Sequence, residues 1–209
     1  AVVCEMRDSD QAACVIGMPA RGASLGDALG GDDSGWPEFS RYLPVFEALG
    51  DAAVYGMAVP RSEANAVFGR SAAEVFGEGA ARYGLVQPLS DDVQAEREAH
   101  QMEVHCDALP EDMLAGMVAA QRLRDAAFAR TALKALEETG GPVAVITGTG
   151  HVRRDWGMPV PLAAAAPDVS VLAVGQLELS APDDPPYDLW LVTEAAERED
   201  PCLAFREPG

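Results

Sequence analysis

Short apolar runs rich in β-branched residues alternate along this chain with longer segments of helical periodicity. The short runs predict strands at 1–6, 52–59, 142–147, 169–174 and 187–193. The longer segments predict helices at 36–49, 62–76, 90–104, 109–139 and 159–166. This alternation is typical of an α/β fold with a mostly parallel sheet flanked by helices. Because the chain has 209 residues and no evident linker, we expect one domain, 1–209, with helical elaboration.

The segment that begins at Leu109-Pro110 has the most distinct helical pattern. Proline at the first helical position and the acidic pair Glu111-Asp112 mark its start, and Gly140-Gly141 marks its end. A rotation of about 100° per residue collects an apolar stripe that we expect to face the core. The stripe contains Met113, Leu114, Met117, Val118, Phe128, Ala132 and Leu136.

Three polar residues interrupt this stripe. Gln121, Arg124 and Asp125 lie between its apolar members, where an unpaired charge would be costly. One interpretation is a structural cluster in which Gln121 bonds to Asp125 and Arg124 bonds to loop carbonyls. The other is that these side chains face a ligand. The pattern leaves both interpretations open.

A histidine follows the apolar run at 142–146, in the sequence Thr147-Gly148-Thr149-Gly150-His151. Ligands bind at the carboxyl edge of open parallel sheets, and glycines let the backbone turn sharply there. His151 is therefore a candidate binding residue, with a structural histidine as the alternative. Arg153 and Arg154 follow at once, and an imidazole beside guanidinium groups favours either an anionic ligand with a metal centre or an electrophile-stabilising site. Glu5 ends the first strand, and we expect it at the same edge.

Two further candidates lie outside the strand ends. His100 and His105 differ by about 140° on a helix, so they do not form a same-face metal pair. His105 is the better candidate for a binding residue. The alternative is a structural role, because a cation is favoured at the carboxyl end of the preceding helix. Tyr42 is a candidate iron ligand or, alternatively, a tyrosine at the edge of the core.

Composition narrows the classes of partner. Fifteen Lys plus Arg against 34 Asp plus Glu leave a net charge of -19, which repels nucleic acid and anionic membrane surfaces. No apolar run approaches the ~18 residues of a membrane span. Cysteines at 4, 14, 106 and 202 lack the short paired spacing of a zinc knuckle or a redox pair. They are either thiols or members of up to two disulfides.

Four stretches of the chain together resemble the ChaN-like haem-binding lipoproteins of the haem-binding uptake and Tiki superfamily. The resemblance spans nearly the whole chain. The stretches are 2–6, then 35–39 with Tyr42 and Pro44, then 105–126, and finally 148–153 with 157–159.

The resemblance implies an α/β fold with an exposed pocket, haem as cofactor, and a role in bacterial iron uptake in the cell envelope or periplasm. It implies His151, His105 or a tyrosine such as Tyr42 as axial ligand, and Arg153 or Arg154 as partners of the propionates. The remaining residues of the expected haem-binding set are Gln121, Gly148 and Gly150. The expected partner is haem or another small anionic ligand, and we also expect a homodimer.

The wider superfamily includes metal-dependent peptidases and esterase-like enzymes with Gly-x-x-His motifs and a strand-end glutamate. Gly148 and His151 match the second such motif, and Glu5 matches the glutamate. In a hydrolase, Glu5 and His151 would bind a divalent metal or assist catalysis, while Arg124 and Asp125 complete the catalytic set. The first motif precedes this segment in the family, so we expect an upstream segment. A third interpretation is a partner-binding module whose polar cluster is only structural.

Overall fold

A computed structural model describes residues 1–5, 43–200 and 202–203 of the chain. Contacts divide the chain into two compact units. The first unit combines residues from 1–60 and 127–148, and the second combines residues from 61–126 and 149–209. The single domain expected over 1–209 stays a prediction.

A parallel three-stranded sheet forms the centre of the first unit. It contains β1 (Val2–Cys4), β2 (Val54–Gly56) and β3 (Ala144–Ile146), in the order β2-β1-β3. Val2 is in register with Val54 on one side and with Ala144 on the other. β1 is thus hydrogen-bonded on both edges, which suits a fully apolar strand. The α/β class with parallel strands is confirmed.

A small apolar cluster covers this sheet. Val2, Cys4 and Val54 are buried together with Phe46, which lies on α1 (Leu43–Ala48). Proline is tolerated in the first turn of a helix, which explains why Pro44 lies inside α1. The remainder of the helix predicted at 36–49 lies outside the described residues.

The helix predicted at 62–76 is interrupted in the second unit. The structure has α2 (Arg61–Asn65), a 3₁₀ turn (Ala66–Phe68) and α3 (Ala72–Phe76). Gly69 ends the turn, and Ser71 begins α3 with a capping box, in which its hydroxyl accepts from the Glu74 N–H. A glycine followed by a capping residue favours two short helices over one long one.

Two long helices follow, α4 (Asp91–Val104) and α5 (Glu111–Thr139). Ser90 caps α4 by accepting from the Val93 N–H. The apolar stripe predicted on α5 is confirmed, since Val118 and Phe128 are buried while Lys134 is exposed.

The last part of the second unit contains α6 (Thr149–Val152), α7 (Pro159–Ala165) and a parallel pair of strands, β4 (Val174–Glu178) and β5 (Leu189–Thr193). The strand predicted at 169–174 was wrong, because pairing begins only at its last residue. Gly175, the second residue of β4, packs closely against a residue just before β5. A Cβ atom on it would lie 2.4 Å from the ring of Tyr187. Only glycine lets the backbone of β4 lie so close to this ring.

A disulfide joins Cys106 to Cys202 across 96 residues of sequence. Cys4 is buried in the first unit, and Cys14 lies outside the described residues. Among the helices in the described part of the chain, none has the length and apolar character needed to cross a membrane.

Candidate functional site

The second unit contains a pocket of about 390 Å³. Three imidazoles, two guanidiniums and a phenol line it beside apolar and amide side chains. A few polar groups among apolar ones are typical of ligand sites. The lining residues are His100, Gln101, Val104, His105, Met117, Gln121, Arg124, Thr149, Gly150, His151, Arg153 and Tyr187.

Helix α5 presents one face to this pocket. Met117, Gln121 and Arg124 have the spacing i, i+4 and i+7, which places them on a common side of the helix. The end of α4 and the short helix α6 supply most of the other lining residues. The polar interruption of the apolar stripe is therefore where α5 meets the pocket.

A chain of amide hydrogen bonds holds these three helices together. Gln101 on α4 donates from Nε2 to Oε1 of Gln121 on α5, at 2.8 Å. Gln121 in turn donates from Nε2 to the Gly150 carbonyl in α6, at 3.3 Å. Both glutamines are buried, so these bonds satisfy polar groups that would otherwise cost stability.

A second polar chain runs one helical turn away, from Arg97 through Asp125 to His151. Arg97 precedes Gln101 by four residues, and Asp125 follows Gln121 by four, so the two chains are stacked. Nδ1 of His151 lies 2.6 Å from Oδ1 of Asp125, and Nη2 of Arg97 lies 4.0 Å from Oδ2 of Asp125. Asp125 is 1% exposed and Arg97 is 4% exposed. The imidazole at the pocket is therefore backed by a buried ion pair.

The other two imidazoles differ in how they are held. Nδ1 of His105 lies 2.8 Å from the Gln101 carbonyl. A carbonyl only accepts, so Nδ1 of His105 donates this hydrogen bond. Burial, and then the nearby Arg153, lower the pKa of His100. The neutral form of His100, which can bind a metal, is thereby favoured.

The two pocket guanidiniums also differ. Arg153 donates from Nε and Nη2 to the Asp155 carboxylate, at 2.9 and 2.6 Å, and its Cζ lies 3.7 Å from the centroid of the Trp156 ring. These contacts hold Arg153 in place. The guanidinium of Arg124, by contrast, makes no hydrogen bond or ion pair with the residues that the structure describes. Its five N–H donors suit a ligand carboxylate.

Gly157 closes a tight turn behind His151. Its N–H donates to the Arg153 carbonyl at 2.9 Å, and the next N–H, of Met158, donates to the His151 carbonyl at 2.8 Å. A Cβ atom at position 157 would lie 2.5 Å from the His151 oxygen and 2.7 Å from the Arg153 oxygen. Any other residue would push the backbone of His151 away.

The Tyr187 phenol reaches the pocket from the residues just before β5. Its ring lies against Gly175, and its hydroxyl donates to the Thr149 carbonyl at 3.5 Å. Burial raises the pKa of this phenol, which favours its protonated form.

A family model described as haem-binding uptake, Tiki superfamily, ChaN matches residues 1–162. The chain belongs to the ChaN family. This confirms the resemblance found in the sequence, and haem is the cofactor that the assignment supports. Within the pocket, all lining residues except Tyr187 fall in the matched range.

The fold is similar to that of ChaN of Campylobacter jejuni, a protein whose solved structure is described as showing cofacial heme binding. The match has a TM-score of 0.66 and 17% sequence identity, and it covers 90% of this chain and 71% of that one. A comparison with curated proteins finds no match.

In this ChaN-family chain the pocket brings together six of the residues predicted from the sequence, and Asp125 lies buried behind one of them. The six are His105, Gln121, Arg124, Gly150, His151 and Arg153. Gln121 and Asp125 do not take each other as partners, because each bonds to α6 instead. Gln121 and Asp125 are thus hydrogen-bonded to neighbouring helices, and Arg124 lines the pocket.

Other predicted residues lie elsewhere. Oε2 of Glu5, in the first unit, accepts from Oγ1 of Thr147 at 2.6 Å and from the Gly148 N–H at 2.8 Å. Glu5 thus joins the end of β1 to the loop after β3. Arg154 is not a pocket residue, and its guanidinium donates to the Asp188 carboxylate. Tyr42 lies outside the described residues.

His100, Tyr187 and Arg97 were not predicted as site residues. The helical angle between His100 and His105 is misleading because α4 ends at Val104, so His105 no longer follows the helical rotation. Both histidines line the pocket. Tyr187 and Arg97 gave no local signal, since their positions depend on contacts distant in sequence.

The donor set of the pocket fits haem. Imidazole and phenol side chains are axial ligands of haem iron, arginines bind carboxylates, and Val104 and Met117 supply apolar surface. The described residues also bear on the hydrolase alternative. Among residues 1–5, 43–200 and 202–203, no three His, Cys, Asp or Glu side chains form a group that could hold a metal ion. That alternative stays a prediction.

Proposed function

We propose that this chain binds haem in the pocket of its second unit, with His151 as the iron ligand. The proposal rests on the 2.6 Å contact between Nδ1 of His151 and the buried Asp125 carboxylate. Metal-ligating histidines almost always donate their other ring N–H to a carboxylate or a carbonyl. Haem supplies an iron that takes an imidazole nitrogen as its axial ligand.

Arg124 is the proposed partner of a haem propionate. It lines the pocket on the same face of α5 as Gln121, whereas the second guanidinium, of Arg153, is already paired with Asp155. A charge-assisted hydrogen bond from Arg124 would therefore orient the ligand without breaking an existing ion pair.

Titration with hemin tests the proposal. We expect the wild-type protein to give a saturable shift of the Soret band, and we expect His151→Ala to weaken binding more than the matched variants His105→Ala and His100→Ala. A wild-type spectrum indistinguishable from that of hemin in buffer would refute haem binding. Loss of the shift only in His105→Ala would transfer the ligand role to that residue.

The propionate contact has its own test. We expect Arg124→Met to weaken hemin binding about tenfold, in keeping with the loss of one hydrogen bond to a charged group. Haem dimethyl ester lacks the carboxylates, so its affinity should be the same for Arg124→Met and the wild type. Equal losses for both ligands would assign Arg124 a packing role.

We further propose that the protein acts in iron acquisition in the cell envelope, as a lipoprotein. The family description supports uptake, and the Cys106–Cys202 disulfide supports an oxidising compartment. Fractionation of cells producing the full-length protein, and growth of a deletion strain on hemin as the iron source, test the two parts. Light scattering with and without hemin tests the expected homodimer.

A further inference from the structure

Helix α4 ends at the pocket in a left-handed turn that contains no glycine. The backbone φ angle is 62° at Cys106 and 55° at Asp107. The Cys106 N–H donates to the Glu103 carbonyl at 3.0 Å. The Asp107 N–H donates to the Met102 carbonyl, also at 3.0 Å. These two bonds form a Schellman cap, in which the first left-handed residue is usually glycine. Cysteine therefore occupies a position that its Cβ atom disfavours.

The cap determines where two of the pocket residues lie. Val104 is the last residue of α4, His105 follows it, and both line the pocket. The His105 ring is also bonded to the last turn, since its Nδ1 donates to the Gln101 carbonyl at 2.8 Å. Both residues come directly before the left-handed pair. Unwinding of the cap would therefore move this part of the pocket wall.

A disulfide fixes the cap from outside the helix. The Cα atoms of Cys106 and Cys202 lie 5.6 Å apart, within the usual range for a disulfide. Cys202 belongs to the segment after β5, which is itself anchored to β4. In this segment the two terminal nitrogens of Arg198 donate to the Glu178 carboxylate, at 2.7 and 2.6 Å. Left-handed residues other than glycine persist only where the surrounding structure holds them, and the crosslink supplies that restraint.

We propose that the Cys106–Cys202 disulfide keeps α4 in its capped form and thereby sets the affinity of the pocket, so that reduction weakens ligand binding. The inference rests on the proposed function, haem binding in this pocket, but not on which side chain binds the iron. Both cysteines are only partly buried, so a small dithiol can reach the disulfide. The dithiol gives two electrons and two protons to the disulfide, leaves two protein thiols, and closes to its own cyclic disulfide.

The size of the effect follows from the equilibrium between two forms of the cap. Without the crosslink, Cys106 can leave the left-handed region, and the relief of that conformation corresponds to a shift of about tenfold in the equilibrium. Asp107 adds less, because aspartate tolerates this conformation. A pocket that binds its ligand only in the capped form loses affinity in proportion to the fraction of molecules that stay capped. We therefore expect binding to weaken about tenfold.

Hydrogen exchange in the hemin-free protein gives the first test. In the oxidised wild type, the cap hydrogen bond should protect the Asp107 amide. In Cys106→Ser/Cys202→Ser, and in wild type treated with a dithiol, this amide should exchange about ten times faster. The Gln94 amide, in the first turn of α4, is the internal control and should not change. Equal exchange at Asp107 in the oxidised and reduced wild type would overturn the proposal, even if the double variant fails to fold.

Hemin titration gives the second test, and it uses variants because a dithiol would also reduce the iron. We expect Cys106→Ser/Cys202→Ser to bind hemin about tenfold more weakly than the wild type. Cys106→Gly/Cys202→Ser also lacks the crosslink, but glycine suits the left-handed position. Its hemin affinity should therefore be close to that of the wild type. Both variants should melt below the wild type, so a difference in affinity between them reports the cap and not overall stability.

The outcomes separate this inference from the proposed function. Wild-type hemin affinity in Cys106→Ser/Cys202→Ser would overturn the inference, and so would equal weakening in the serine and glycine variants. If reduction speeds exchange at Asp107 but the oxidised wild type gives no saturable Soret shift, the proposed function fails. The hold of the disulfide on the end of α4 then stands.

Discussion

Removing the charge of Arg97 should be among the most damaging single substitutions in the second unit. In Arg97→Met the apolar stem is retained near Trp156, but the buried carboxylate of Asp125 loses its cation. At the 4.0 Å separation of the pair, an effective dielectric constant of 20 gives an attraction of ~4 kcal/mol. Breaking buried pairs typically costs about 3 to 5 kcal/mol. We therefore expect the free energy of unfolding to fall by about 3 to 4 kcal/mol.

Urea denaturation followed by circular dichroism measures this change directly. For a chain of this size, the loss corresponds to a fall of about 6 to 16 °C in the melting temperature. Arg61→Met, at an exposed arginine of α2, is the matched control and should stay within about 0.5 kcal/mol of the wild type. The double variant Arg97→Met/Asp125→Asn should recover part of the loss, since no buried charge is left alone. A loss below about 1 kcal/mol in Arg97→Met would refute the reasoning.

Three other perturbations address the turn, the disulfide and the titration of the pocket. Gly157→Ala should abolish most hemin binding, because the added Cβ meets backbone atoms 2.5 and 2.7 Å away. The helix content measured by circular dichroism should be kept. Wild-type hemin affinity in this variant would contradict the role given to the tight turn. Reducing Cys106–Cys202 should lower the free energy of unfolding by at most about 4 to 5 kcal/mol, because the unfolded chain gains conformational entropy. Thermal melting with and without a dithiol measures this loss. Cys202→Ser should melt like the reduced protein. Because burial lowers the pKa of His100, the unfolded state binds a proton more readily than the folded state below about pH 6.5. Stability of the hemin-free protein should thus fall as pH drops through that value, and His100→Gln should flatten this part of the profile.

Local sequence predicted the elements whose signals are local. The three apolar runs that form β1, β2 and β3 were found, and α5 was found from its Pro110 start and its Gly140 end. The strand predicted at 169–174 was wrong for the opposite reason, since β4 is Val174–Glu178. Pairing there depends on Gly175 meeting Tyr187, and the approach of two such residues is not visible in either segment alone.

The candidate site shows the same division. His151 was predicted because it follows a strand and two glycines, which are adjacent in sequence. Arg97 was not predicted, since a single arginine in a polar helix looks exposed until Asp125 is brought beside it. The helical angle also set His100 apart from His105, whereas both line the pocket because α4 ends at Val104.

The polar interruption of α5 shows why the two interpretations of it were not exclusive. A pocket side chain held in one orientation needs buried partners, and a buried partner needs its own hydrogen bonds. Asp125 is the buried partner of the pocket residue His151, Gln121 is hydrogen-bonded to both α4 and α6, and Arg124 lines the pocket on the same face of α5. Because Gln121 and Asp125 are four residues apart on one rigid helix, the bonds that hold the fold together also set where His151 stands. Loosening either chain should therefore disturb the ligand site before it unfolds the domain.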